Sequence, residues 1–141
     1  MQRPITVAAA QLGPIARSEN RTQVVKRLLE LMRQAHEFGC DLVVFPELAL
    51  TTFFPRWYME DQDEIDSFFE QRMPGNETQP LFENAKALGI GFYLGYAELT
   101  RTGLSAPIQS SSRSGNIVLW LRSTPSTKRF IKPSRQSTEE S

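Results

Sequence analysis

Residues 41–45, "DLVVF", hold four consecutive apolar side chains behind an aspartate, with Pro46 closing the run. A run this short and this apolar is a buried strand of the kind that parallel sheets covered on both faces contain. Upstream, Val24, Val25, Leu28, Leu31, Met32, Ala35 and Phe38 recur at helical spacing. Asn20 with Gln23 three residues later forms a capping-box pattern, and Gly39 suits the stop, which predicts a helix over 20–38. Earlier still, "ITVAAAQL" (5–12) is apolar and closed by Gly13-Pro14. It reads as another buried strand ending in a turn. Strand, helix and strand in that order make a βαβ unit.

The alternation continues downstream. The acidic stretch "EDQDEIDSFFEQ" predicts a short helix, and Pro74-Gly75 breaks the chain. Residues 77–88 predict a further helix with Asn76 as its cap and Gly89 as its stop, and "IGFYLGYAEL" (90–99) a third strand. Together these segments predict an α/β layered fold. From Gly103 on the pattern lapses: ten of the 37 residues 105–141 are serine, and only "SGNIVLWL" (114–121) could add a strand. That composition predicts a mostly disordered tail. The division expected is therefore a domain over 1–104 and a Ser-rich basic tail over 105–141.

Lysine plus arginine and aspartate plus glutamate both total 16, so overall charge points neither to nucleic acid nor to an acidic membrane. The balance hides a split, with net −4 over residues 1–104 and net +4 over 105–141. Arg113, Arg122, Lys128, Arg129, Lys132 and Arg135, with Trp120 and Phe130 among them, resemble a nucleic-acid-binding arm. Without a packed scaffold a solvated tail is the stronger reading, and neither nucleic acid nor membrane is expected as a partner. Cys40 is the only cysteine, so no intrachain disulfide can form and a cytoplasmic setting is expected. The apolar run near the N-terminus is too short for a signal-peptide core or a membrane span.

One carboxylate stands apart. Glu47 follows Pro46 at the C-terminal end of the second strand, where open α/β sheets place their ligand crevices. Phe45, Leu48, Phe53, Phe54 and Trp57 surround it in sequence, and apolar surroundings would disfavour its charge and suit it to act as a general base. A surface glutamate in a turn is the competing reading, and position alone leaves both open. Cys40 lies between a helix-stop glycine and a strand with no basic neighbour, which fits a small core residue better than a nucleophile. His36, the only histidine, falls in the last helical turn, where it complements the dipole. One histidine and one cysteine do not supply the ligands of an ordinary zinc site, and the acidic run 60–66 fails the calcium-loop pattern, with Asp66 and Arg72 where glycine and glutamate belong. The glycines of "GIGFYLG" enter a strand instead of opening a helix, against a dinucleotide site.

The stretches "AAAQLGPIA", "DLVVFPELALTTFFPRW", "MPG" and "LGIGFYLGYAEL" closely resemble, in order and spacing, the N-terminal part of N-carbamoyl-D-amino acid amidohydrolases of the nitrilase (carbon-nitrogen hydrolase) superfamily. The likeness covers about the first hundred residues. It implies the N-terminal part of an αββα sandwich, association of intact subunits into homo-oligomers, and a Glu-Lys-Cys triad that needs no metal or cofactor. By this resemblance Glu47 is the base that takes the proton of the nucleophilic cysteine, and Phe53, Phe54 and Trp57 are substrate-binding residues. The implied substrate is a small N-carbamoyl amino acid or amide, hydrolysed in the first case to D-amino acid, carbon dioxide and ammonia. The three residue types follow from the chemistry: a thiolate to attack a poor electrophile, a carboxylate to handle the proton, and a cation to stabilise the oxyanion.

The resemblance stops short of the other two residues. Aligned on "SGNIV" (114–118), Ser123 stands where the family has its catalytic lysine, and nothing around Lys128 matches the family's motif. The expectation is a truncated amidohydrolase whose residues from about 104 onward are out-of-frame or otherwise aberrant sequence, and which lacks turnover by itself. An unbroken reading frame on resequencing, with no cysteine-containing homologous segment downstream, would refute it. The alternative is a non-catalytic interaction fragment that pairs with a full-length homologue.

Overall fold

The computed structural model describes residues 2–101 and 111–120. Among them, β1 (Val7–Ala9), β2 (Leu42–Val44), β3 (Gly91–Arg101) and β4 (Ser111–Trp120) form one sheet in the order β1-β2-β3-β4. The first three strands are parallel, with Ala8 opposite Val43 and Val43 opposite Phe92, and β4 runs antiparallel to β3. The α/β layering expected from the sequence is therefore present. The strand expected over 114–121 occupies 111–120, and the remaining residues of the Ser-rich stretch lie outside the described residues.

α1 (Arg21–Glu37) links β1 to β2. Its first turn is closed by the expected box: Gln23 N–H donates to Asn20 Oδ1 and Asn20 N–H donates to Gln23 Oε1, both at 2.9 Å. Two donors that a helix start leaves unpaired are thereby satisfied. Val24, Val25, Leu28, Met32 and Ala35 form its buried face. Gly39 takes φ +76° just beyond the helix, a left-handed conformation that favours glycine. α2 (Gln62–Ser67) is the short acidic helix, capped by Asp61, whose carboxylate accepts from Asp63 N–H. α3 (Gln79–Leu88) returns the chain to β3 and ends at Gly89, φ +66°. Its start differs from expectation: Asn76 is not the cap, because its side chain accepts from Arg72 Nη2 at 3.1 Å. Thr78 precedes the helix, its hydroxyl turned back to accept from Gly75 N–H at 2.8 Å.

Successive parallel strands added in one direction, each by a right-handed crossover, place their helices on the same face. α1 and α3 accordingly share one face of the sheet. Val43 and Phe45 of the β2 segment and Phe92, Leu94 and Tyr96 of β3 point into that layer, joined by Leu28, Met32, Leu81, Phe82 and Ala85 in one cluster. Phe82 meets Phe92 edge-on, with ring centroids 5.1 Å apart. Strand alternation sends Val7, Ala9, Leu42, Val44 and Tyr93 to the other face, where they are exposed or half-buried. The full apolar cover expected on both faces of β2 is thus met on one side only among the described residues. β1 is also shorter than its apolar run, with Ile5 and Val7 68% and 52% exposed on this edge strand.

Candidate active site

At the C-terminal end of β2 the ladder to β3 is interrupted. Phe45 N–H donates to Tyr93 O at 3.0 Å, and the next bond of the series runs from Ala49 N–H to Gly95 O at 3.1 Å. Four residues on one strand thus span two on the other, where a regular parallel ladder advances equally on both. The two surplus residues lift Pro46, Glu47 and Leu48 out as a bulge. Proline, which has no N–H to offer a ladder, fits the break. Leu48 turns the chain back with φ +47°, an uncommon conformation for a branched residue that stores backbone strain of about 1 kcal/mol or more.

Gly95 explains where the bulge can rest. Its neighbours Leu94 and Tyr96 point into the helix layer, so a side chain at 95 would point to the opposite face. A Cβ there would lie 3.4 Å from Glu47 Cα, 3.6 Å from Leu48 N and 3.7 Å from Pro46 O. The bare glycine leaves room for the bulge backbone to lie against β3. Glu47 is consequently displayed on the uncovered side of the sheet, beyond the end of a parallel strand.

The apolar enclosure expected around Glu47 is absent among the described residues, and Glu47 is exposed. The reason is the direction of its sequence neighbours. Phe45 is buried in the helix-side core, while Phe54 stacks on Phe68 at 5.2 Å and meets Phe69 at 5.3 Å. Phe53 and Trp57 stay on the surface, 51% and 38% exposed. The Arg56 guanidinium lies 4.6 Å, and that of Arg17 5.6 Å, from the Trp57 ring centroid, within cation–π range.

Cys40 sits at the opposite end of β2 from Glu47. Its N–H donates to Ala35 O at 3.0 Å and its half-buried thiol packs on the core. Seven residues along a strand and its bulge separate the two by about 15–20 Å. Cys40 is therefore a packing residue, as its sequence position predicted, and is no partner for Glu47. Among the described residues no three histidine, cysteine, aspartate or glutamate side chains converge as a metal site would need, and no helix is long and apolar enough to cross a membrane.

Sequence reasoning missed Glu70. It is 7% exposed, and its backbone takes up the edge of β3 where the β2 segment leaves off: Glu70 N–H donates to Ala97 O at 2.7 Å, and Leu99 N–H donates to Glu70 O at 2.8 Å. Arg21, at the start of α1, donates from Nε to the Glu70 carboxylate and from Nη2 to Ser67 O at 2.6 Å. Burial pushes the Glu70 carboxyl upward, offset in part by Arg21. The only sequence signal is a glutamate directly after two aromatics. Two clefts of about 410 Å³ flank this pair: one is bordered by Arg17, Asn20, Thr51, Thr52 and Phe68, the other by Asp66, Arg72, Asn76 and Glu77, and Glu47 borders neither.

A parallel α/β layer thus lifts Glu47 out on a proline bulge at the C-terminal end of a strand, in solvent. Residues 6–127 match the carbon-nitrogen hydrolase family, and the chain belongs to that family. It also resembles a cyanide hydratase of Penicillium rubens, 30% identical over 101 residues that make up 67% of this chain and 28% of that protein. The chain thus spans little more than a quarter of the length of this relative.

Proposed function

We propose that the chain carries the general-base portion of a carbon-nitrogen hydrolase, with Glu47 accepting the proton of a nucleophilic thiol. The observation that carries this is the bulge against Gly95, which fixes a solvent-accessible carboxylate at a strand end. The thiol is not Cys40, the only cysteine of the sequence, which lies at the wrong end of β2, so the nucleophile comes from outside this sequence, and the oxyanion-stabilising lysine is proposed to come with it. In the reaction Glu47 takes the thiol proton as the thiolate attacks the carbamoyl carbon and passes it to the departing ammonia; water then hydrolyses the S-carbamoyl intermediate, restoring the thiol, and the carbamic acid released breaks down to amino acid and carbon dioxide. The substrate class is N-carbamoyl-D-amino acids, released as D-amino acid, carbon dioxide and ammonia, with Phe53, Phe54 and Trp57 contributing to the wall that meets the amino-acid side chain. No cofactor takes part, residues 1–104 supply the N-terminal part of the domain, and the intact protein works as a cytoplasmic homo-oligomer.

A trans-complementation assay tests this. The purified 141-residue chain is mixed with the separately expressed remainder, bearing lysine and cysteine, of an intact N-carbamoyl-D-amino acid amidohydrolase. Expected are no ammonia from the chain alone, ammonia from the mixture, and a loss of about 10²–10⁴-fold on Glu47→Gln. Ammonia release by the chain alone, indifferent to that substitution, would sink the proposal. The likeness to a cyanide hydratase favours a second reading in which the attacked carbon is that of a nitrile or cyanide. Formamide made from cyanide by the mixture, with no action on carbamoyl substrates, would select it. A mixture without activity that co-purifies with an intact homologue would instead identify an interaction fragment.

A further inference from the structure

Between its bonds to Gly95 and Ala97 of β3, the chain makes one long excursion: it leaves at Ala49 and returns at Glu70. Residues 50–69 therefore project from two adjacent points of one strand, and they carry Phe53, Phe54, Trp57 and α2. An excursion anchored at so small a base needs a second support to hold its aromatic side chains in one place, because open loops of this length are otherwise free to rearrange.

The support comes from the start of α1. Arg21 presents its guanidinium to the returning limb as a fork: Nε donates to the Glu70 carboxylate, and Nη2 donates to Ser67 O at 2.6 Å and, more weakly, to Phe69 O at 3.4 Å. The pair is largely shielded, with side-chain exposures of 23% for Arg21 and 8% for Glu70. The limb so held contains Phe68 and Phe69, the two rings against which Phe54 is packed. Phe54 is in turn the first residue of the short 3₁₀ turn Phe54–Arg56, which Phe53 and Trp57 flank. A second arginine four residues earlier, Arg17 in the loop before α1, pairs with Glu64 of α2 and lies over Trp57. That pair is about 40% exposed on both sides and adds little, whereas the Arg21 fork is shielded and bonds three groups at once.

We propose that Arg21 and Glu70 form a positioning clasp that fixes the aromatic excursion 50–69 relative to the Glu47 bulge, and so sets which substrate side chain the site accepts. The second half of this statement rests on the proposed function; the clasp itself does not. A guanidinium is suited to the task because its planar fork reaches carboxylate and carbonyl together, which a lysine ammonium on the same stem cannot do.

Amide hydrogen exchange on the full chain tests the clasp without reference to activity. Three forms are compared with the unaltered chain: Arg21→Lys, which keeps charge and loses the fork; Arg21→Leu; and the double variant Arg21→Leu with Glu70→Leu, which leaves no buried charge unpaired and protects the fold if Arg21→Leu alone unfolds it. The clasp predicts exchange about tenfold faster at amides within 50–69 in Arg21→Lys, with those of α1, α3 and β3 unchanged. It also predicts that the double variant recovers global stability while 50–69 stays fast. Unchanged exchange in 50–69, equal acceleration throughout the chain, or full recovery of 50–69 in the double variant would each overturn it, leaving Arg21 as a counter-ion only. In the complemented enzyme, Arg21→Lys should raise KM for bulky N-carbamoyl-D-amino acids several-fold with kcat little changed. A selective exchange effect with no change in KM would retain the clasp and remove its role in substrate choice. Absence of any activity would count against the proposed function and leave the exchange result standing.

Discussion

Gly95→Val should dislodge the bulge that carries Glu47, whereas Gly95→Ala should not. An alanine Cβ would meet Glu47 Cα at 3.4 Å, Leu48 N at 3.6 Å and Pro46 O at 3.7 Å, all ordinary van der Waals contact. Removing a glycine from a strand interior also reduces the freedom of the unfolded chain, so alanine should leave stability within about 1 kcal/mol of its present value or raise it. Valine adds two methyl groups about 1.5 Å beyond that Cβ, into backbone already in contact. Overpacking of this kind costs about 1–3 kcal/mol. With a urea slope of about 1.5 kcal/mol per molar, valine should lower the unfolding midpoint by roughly 1 M relative to alanine. Circular dichroism at neutral pH reads it directly. Leu48→Gly, which lets the bulge backbone yield, should recover part of the loss. In the complemented enzyme a shift of Glu47 by about 1 Å should reduce turnover about a hundredfold. Equal midpoints for alanine and valine would mean that the bulge does not rest on Gly95, and the placement of Glu47 would fall with it.

Other outcomes are expected from single groups. Asn20→Ala removes one arm of the capping box and should cost about 1 kcal/mol, seen as a melting temperature lower by roughly 3–6 °C; no change would mean that the box is not formed in solution. Glu70 is pushed up by burial, so its folded-state affinity for a proton exceeds the unfolded one. A raised pKa contributes stability that is present below the unfolded value and lost as pH rises through the folded value, so Glu70→Gln should compare more favourably with the unaltered chain at pH 7 than at pH 4. The opposite trend in urea midpoints would contradict that sign. Glu30 is held down at about 2 by hydrogen bonds from Arg33 and Gln34. Its contribution is present above the unfolded value and fades as pH falls through about 2, which a carboxylate NMR titration would register as a midpoint well below that of a free glutamate.

Much of the layer was legible because its signals are local. The period of α1, its Asn20–Gln23 box and the stops at Gly39 and Gly89 each act within a turn of helix, and the structure reproduces them. Glu47 was legible as a residue at a strand end, although its exposure was not: the apolar neighbours that suggested enclosure belong in part to a separate aromatic cluster, and sequence proximity does not tell which way a ring turns. Asn76 misled because its side chain had a competing donor in Arg72. Glu70 was out of reach, since its partner Arg21 is 49 residues away and its backbone partners lie on a strand not yet made. The boundaries of β1 depended on the other sheet face, which its own residues could not disclose.

That uncovered face has a consequence for how the site comes into being. Val7, Ala9, Leu42, Val44 and Tyr93 form an apolar floor, and the Glu47 bulge stands at its rim on the same side. A second layer seated on the floor at the usual sheet-to-sheet spacing of about 10 Å would close over the carboxylate in the same movement that removes the floor from water. Drying the floor and sheltering the Glu47 carboxylate are then one event: a layer that stabilises this sheet also moves that carboxylate into a shielded setting, and without such a layer it stays in solvent.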